Sequence, residues 1–453
     1  MANSSVISTT PVNILSQDTD VIIDEMYSYT GGFRSGAYLV PHAIEEAHFS
    51  ERCGFSHMVS FFSPVVDAMV RPVFDSRQIR KTDNVKMQEF IKNCDNRGTP
   101  LQTMMRYSAT EMRKHSNYFL IVDNLPADAM PETDEEAVQT RAIPYIYRKR
   151  PQDVVNFDID RFGRAESITF ANGTYRNGEE NAPKYLTINK AEFIEHTELT
   201  AKDGKKSYAE LNRTAHPIGK LPIVIMQDSL PDAGSLLANQ KLYGLMRICH
   251  AVFNKDSEMR EIERKQEFSM AVFYTDNPTS LSTGTGNAIM LGRDDKSPHF
   301  LEPNAGILAG LLETRTALRE DLYRVAEQNG VVGIQSAKSG TAMAFEFMAR
   351  DSILRETAEL CETAEEKIAE LFFLWIGEPY DYEVHYNEDY TPADDTTTLK
   401  WIDLAMMSDM PDSVKAQIVQ LIARKINPKM SDDDIDGIVD EMKNTASDAE
   451  NGE

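Results

Sequence analysis

Residues 329–347 read NGVVGIQSAKSGTAMAFEF. Gly330, Gly333 and Gly340, with Ser336, Ala337 and Ser339, make a small, weakly apolar loop that carries one cation, Lys338. Beyond it Phe347, Leu354, Cys361, Ile368, Leu371 and Trp375 recur at helical spacing among Glu, Arg and Lys, which predicts one long helix over 341–376. Ahead of it, GILAGLLETRTALREDLYRVAEQNG predicts another long helix, with Gly330 as its C-terminal cap. Further upstream, SLLANQKLYGLMRICHAVFNKDSEMREIERKQEF predicts a helix of about 30 residues, ~45 Å long at 1.5 Å per residue. Between those two helices SMAVFYTD, NAIMLGRDD and SPHFLEP read as short strands around a Pro/Thr/Ser/Gly loop. The order is helix, small β insert, helix, glycine loop, long helix.

Working outward, residues 38–120 read as mostly helical. HAIEEAHFSERCGFSHMVSFFSPVVDAMVRPVF places apolar side chains three and four apart, with Pro64 and Pro72 marking boundaries or kinks. NVKMQEFIKNCDNRG predicts a helix stopped near Gly98, and TPLQTMMRYSATEMRKHS one opened by Thr99-Pro100. NYFLIVDNLP is a short apolar run closed by turn residues, hence a buried strand. Over 143–230 the character turns to β. Asn172-Gly173 and Asp203-Gly204, each flanked by β-rich segments, predict tight hairpins, and IGKLPIVIMQD a strand entered through Pro222. YEVHYNEDY reads as a strand, and TLKWIDLAMMSDMPDSVKAQIVQLIARKI as a helix pair divided at Pro411. Residues 1–37 read as a flexible leader and 428–453 as an acidic tail. The fold class is α+β.

The 453 residues carry 47 Lys and Arg against 72 Asp and Glu, a formal net charge of −25. Gripping nucleic acid needs cations that displace counterions, so this balance argues against a protein that clamps DNA. It is compatible with one that lets a duplex pass, because a like-charged wall repels it at close range, screened beyond ~8 Å. No apolar run approaches the ~20 residues that span a bilayer, and the N-terminus lacks the basic start and apolar stretch of a signal peptide. Cys53, Cys94, Cys249 and Cys361 are scattered without a CxxC pair, and read as buried small hydrophobes in a reducing compartment. No GxxxxGK[ST] or GxSxG occurs, and STGTGNAIM fails the GxGxxG pattern and reads as a loop in a hairpin-like context. His42 and His48 sit on different helix faces at ~100° per residue, unlike an HExxH pair. The basic runs RQIRK (77–81) and YRKR (147–150) read as solvated surface, with contact to an acidic neighbouring subunit as the alternative. The expectation is a chain with no catalytic residues, cofactor or metal.

Several segments in this order resemble the portal (head-to-tail connector) proteins of tailed bacteriophages. They are YLVPHAIEEAHFSERCGF with VVDAMVRPVF; CDNRGTPLQTMMRY leading to NYFLIVDNLP; IPYIYRKRPQDVVNFDID; HPIGKLPIVI; VFNKDSEMREIE; SGTAMAFEFMARDSILRETAELCETAEEKIAELFFLW; and VHYNEDYTP. The resemblance covers residues 38–426. One departure is that the acidic end after Asn427 has no long basic or coiled-coil extension. The resemblance implies a mixed wing over 38–234, stem helices over 235–259 and 305–328, and a clip over 260–304. It also implies a tunnel loop over 329–340, then the wing's long helix and crown-like C-terminal helices over 341–427.

The implied role is a structural subunit of a ring, about twelve copies closed by heterologous contacts. The ring stands at one capsid vertex, forms the channel for DNA packaging and ejection, and has no chemistry of its own. The implied partners are further copies of the chain, the major capsid protein, the terminase large subunit, neck and tail adaptors, and double-stranded DNA passing without sequence-specific binding. No membrane is implied; the location is the virion, and the host cytoplasm during assembly. The resemblance places Val331, Val332, Ile334, Gln335, Ser336, Lys338 and Ser339 in the tunnel loop. It places Asn277, Thr279, Ser280, Ser282, Thr283, Gly284, Thr285 and Asn287 on the clip, where a motor or adaptor docks. The alternative is a neck or tail adaptor, or a capsid-assembly scaffold without a DNA channel. An enzyme with an unrecognised site is a third class, disfavoured because no constellation supports it.

Overall fold

Periodicity in the sequence becomes the following elements in a computed structural model. It describes residues 14–42, 45, 48–75, 78–125, 133, 142–177, 180–200, 206–266, 270–274, 288–291, 299–301, 305–325, 340–387 and 390, with 420, 423, 435, 437 and 438. The helices are α1 (Ile14–Ser28), α2 (Gly31–Ser35), α3 (Phe49–Phe55), α4 (Phe62–Asp75), α5 (Val85–Lys92), α6 (Leu101–His115), α7 (Tyr243–Gln266), α8 (Ala305–Val325) and α9 (Gly340–Ile376). The strands are β1 (Ile79–Lys81), β2 (Asn117–Asp123), β3 (Tyr145–Lys149), β4 (Val154–Ile159), β5 (Ala165–Asn177), β6 (Glu180–Asn189), β7 (Glu192–Thr200), β8 (Lys206–Ala215), β9 (Ile223–Gln227), β10 (Met270–Tyr274), β11 (Ala288–Leu291), β12 (His299–Leu301) and β13 (Glu383–His385). The class is α+β.

The chain divides into two compact units. The first comprises Met1–Asn13, Asp67–Asn239 and Phe347–Glu453; the second comprises Ile14–Val66 and Gln240–Glu346. Residues 38–66 therefore group with the helix–strand–helix insert, where the sequence had placed them in the wing. The ties are polar and long-range in sequence: Val40 N donates to Asn254 Oδ1 at 2.7 Å, and the Arg52 guanidinium reaches Ser257 Oγ at 3.1 Å. Residues 14–35, read as leader, hold α1 and α2, because Ile23, Met26 and Phe33 are fully buried.

In the first unit, β4 to β8 form one antiparallel meander, and β3-β2-β9 a second antiparallel sheet. Phe119, Ile121, Ile168, Phe170, Ile188 and Phe193 make their common core. Asn172-Gly173 makes no hairpin turn. It lies inside β5, where the register shifts between Ala171 and Thr174 and Gly173 takes φ +78°. The dipeptide's positive φ is spent on a bulge, and Lys149 Nζ bonds Ala171 O and Asn172 Oδ1 there at 2.8 and 3.0 Å. Asp203-Gly204 falls outside the described residues, but β7 and β8 on either side pair antiparallel down to Thr200 against Lys206. Helix α5 is capped by Asn84, whose side chain accepts from Met87 N, and ends at Lys92, short of Gly98. Past it, Asp95 takes the amides of Arg97 and Thr99 and the Thr99 hydroxyl, side-chain bonds that compete with helix.

Burial of charge organises the rest of this unit. Glu365 on α9 is completely buried, and Arg80 of β1 grips it with Nε at 2.6 Å and a terminal nitrogen at 2.9 Å. The Tyr382 and Tyr386 hydroxyls donate to the same carboxylate. Burial, then the Glu365 charge, raises both phenols well above the ordinary tyrosine range. The run 77–81 is thus not simply solvated surface. In 147–150, burial lowers the Lys149 amine, and the Arg148 guanidinium lies 4.3 Å from the Tyr107 ring centre. The cysteines Cys94, Cys249 and Cys361 are buried and free, and burial pushes the Cys94 and Cys249 thiols up to about 12.

In the second unit, Phe33 packs edge-on against Tyr38 and Phe253, with ring centres 4.9 and 5.5 Å away. Arg52, 1% exposed, binds Glu45, the Val40 carbonyl and Ser257 together, which ties residues 40–52 to α7. Among the described residues no helix is long and apolar enough to cross a membrane.

Glu365→Ala strands the Arg80 charge in the core, so we expect a loss of about 3–5 kcal/mol in chemical denaturation of the full chain. Gly173→Ala, which meets no atom within 4 Å but must hold φ +78°, should cost about 1–2 kcal/mol in the same measurement.

Candidate functional site

The insert that the sequence singled out is built from α7, the sheet β11-β10-β12 and α8, all within the second unit. Helix α7 starts at Tyr243, later than the helical pattern suggested. Residues 235–239 are held elsewhere by backbone bonds to Asn117 and Gln227: Asn117 accepts from Ala238 N at 2.8 Å and donates to Ala238 O at 2.9 Å, and Gln227 donates to Leu236 O at 2.8 Å. A backbone whose amides and carbonyls are taken up in this way does not join the helix.

Helices α7 and α8 run antiparallel. Val325, at the end of α8, lies 4.0 Å from where a Cβ on Gly244 would stand, and at the middle of both helices Arg315 pairs with Asp256. The Arg315 guanidinium reaches both Asp256 oxygens, the second at 3.2 Å, and the hydrogen bonds to that carboxylate raise its pKa further. Helix α7 buries Leu245, Met246, Cys249, Val252, Phe253 and Met259. Helix α8 is different. Leu322 and Tyr323 are buried, yet Gly306, Ala309, Gly310, Leu312, Glu313, Thr314, Thr316 and Ala317 are all exposed. Glu313 is the one charge in that set. A solvent-facing helix surface is normally charged and polar; over 306–317 the exposed residues are mostly small and carry one charge, and the charged exposed residues Glu320 and Arg324 come only further along α8.

The small sheet departs from the expected hairpin context. β10 and β11 pair in parallel, Ala271 against Ala288, while β10 and β12 pair antiparallel. Parallel neighbours need a crossover connection. The clip residues Asn277, Thr279, Ser280, Ser282, Thr283, Gly284, Thr285 and Asn287 lie between Tyr274 and Ala288, outside the described residues. Val331, Val332, Ile334, Gln335, Ser336, Lys338 and Ser339 likewise fall outside them, between the end of α8 at Val325 and the start of α9 at Gly340. The exposed surface of α8 went unremarked in the sequence, although its signal was present: 305–317 contains two charges, Glu313 and Arg315.

No protein-family model matches the chain, and no curated protein sequence matches it. Among solved structures, the chain is similar to a component of the neck of a native GTA particle computed with C12 symmetry. That match has 11% identity and a TM-score of 0.44, over 78% of this chain and 88% of that one. It is similar to a component of the virion of a native gene transfer agent particle at 10% identity and TM-score 0.40, over 80% and 88%. It is also similar to one from the neck of an empty GTA particle computed with C6 symmetry, at 12% and 0.41, over 78% and 88%.

Removing Arg315 leaves Asp256 buried without its partner. Arg315→Ala should therefore cost about 1–3 kcal/mol and raise hydrogen exchange along α7 and α8, read by mass spectrometry. Gly310 has open space around it, so in the dispersed chain Gly310→Ala should stabilise α8 by about 0.5–1 kcal/mol.

Proposed function

We propose that the chain is a portal-like subunit that closes into a ring of about twelve copies around a DNA channel. The observation that carries this reading is the exposed, charge-poor stretch 306–317 of α8, where Glu313 is the one exposed charge, within a helix–sheet–helix insert that leads towards the Lys338 loop and a long helix. Leu312 is 47% exposed there. A helix surface of Gly, Ala, Leu and Thr gains by leaving water, and its small side chains let another helix come close. A second copy of the chain offers the same insert, and a head-to-tail contact repeated around an axis makes a ring. The sequence order that resembles portal proteins supplies the rest of the reading.

In this reading the subunit is structural, and a separate ATPase drives packaging. The clip residues 277–287 dock that motor and later the neck adaptor. Residues 331–339 face the channel, where Lys338 touches passing phosphates weakly and each contact is screened by salt. The acidic balance of the chain keeps the duplex from sticking. The particle is the site of action, and the major capsid protein surrounds the ring.

Native mass spectrometry of the purified full chain over a range of salt concentrations tests this. A closed species near twelve times the 51.1 kDa subunit mass is the expected result. Monomers and dimers at every salt concentration would contradict it.

A further inference from the structure

The turn between β4 and β5 projects an aromatic ring into water. Phe162 is 66% exposed, with the Arg161 guanidinium 4.6 Å and the Arg164 guanidinium 5.1 Å from its ring centre. The turn is rigid. Asp160 Oδ1 accepts from the Phe162 and Arg164 amides at 2.8 and 2.9 Å, and Oδ2 accepts from Arg164 Nε at 2.8 Å. The Asp160 backbone closes the loop through Gly163 N and Arg164 O, both at 2.9 Å, and Gly163 takes φ +81°. The Arg164 amide, first among these bonds, holds the Asp160 carboxyl below the ordinary range, so it is charged at neutral pH. Arg164 is thereby neutralised, whereas Arg161 has no carboxylate partner among the described residues. Aromatic and arginine side chains fixed in advance are what interface anchors are made of.

A complementary surface exists on the same unit. At the end of α9, Tyr380 is 51% and Leu374 36% exposed, and Tyr380 leans on Phe373 with ring centres 5.6 Å apart. Partial burial and the charges of Glu366, Glu370 and Glu365 raise the Tyr380 phenol. Glu370 is paired with Lys220, and Lys367 stands beside Glu366 on the helix. Glu366 itself has no cation paired with it among the described residues. An exposed ring in a negative field thus faces the same solvent as an exposed ring in a positive one.

We infer that the Arg161–Phe162 tip of one copy docks on the Glu366, Leu374 and Tyr380 surface of a second copy, Arg161 against the Glu366 carboxylate and Phe162 against the two apolar side chains. The inference rests on the ring reading and gives it a second subunit contact, remote in sequence from α8. Charge complementarity decides for a copy of this chain: Arg161 and Glu366 are exposed, opposite in sign and without an ion-pair partner among the described residues, and its net charge of −25 suits a cationic anchor.

The test is a charge swap in the full chain, read by native mass spectrometry with far-ultraviolet circular dichroism as a folding control. Arg161→Glu and Glu366→Arg should each raise the concentration for half assembly roughly tenfold or more. The double variant should return it towards wild type, and Phe162→Ser should weaken assembly without rescue by Glu366→Arg. If the wild type assembles and the single variants assemble equally well, the docking is wrong and the ring stands. Single variants that weaken assembly with no recovery in the double variant overturn the Arg161–Glu366 pairing. A wild type that stays monomeric overturns both.

Discussion

A single carboxylate, Glu365, sets what the first unit must look like. Removing a charge from water costs several kcal/mol unless paired and hydrogen-bonded, so α9 can bury Glu365 only where Arg80, Tyr382 and Tyr386 all arrive. Arg80 comes from β1 and the tyrosines flank or follow β13, and those strands pair with each other, Arg80 against Val384. The charge therefore fixes the helix, the two-stranded sheet and their register at once. Trp375, nearly three turns further along α9, adds a second tie by donating to the Val122 carbonyl of β2 at 2.9 Å.

The same logic recurs where the backbone has to leave one pattern for another. Asn117 is buried at the start of β2 and spends its side chain on the backbone of Ala238 and on Gln227. That clamp finishes the first unit and delays α7 to Tyr243. In the second unit Arg52 plays the corresponding part, holding Glu45, Val40 and Ser257. Units braced internally by buried polar ties leave their exposed surfaces for other work. The charge-poor exposed stretch 306–317 of α8 and the Phe162 tip are exposed features that such internal bracing does not explain.

How much of this was legible in sequence depended on the range of the forces involved. Helix α9 was read to within a residue, since one periodic run of 37 residues decides it locally. The short strands β10, β11 and β12 also followed from local composition, but their parallel and antiparallel pairing did not, because pairing is a tertiary choice. The Asn172-Gly173 dipeptide was read as a hairpin turn and is none: it lies inside β5, where Gly173 takes its positive φ at a bulge. Arg80 looked like surface because its partner is 285 residues away, and α7 looked longer because the residue that stops it is 121 positions upstream of Ala238. For the candidate site, composition carried the insert and its order. The uncovered side of α8 needed coordinates, since a sequence stripe does not say which of its residues the rest of the chain already covers.

The most direct measurement is a single-particle reconstruction of the purified full chain. We expect closed rings with an axial channel, α7 and α8 standing around it, and Ala309, Leu312 and Ala317 buried against the adjacent subunit. Particles without a central hole, or rings in which that side of α8 stays open to solvent, would contradict it.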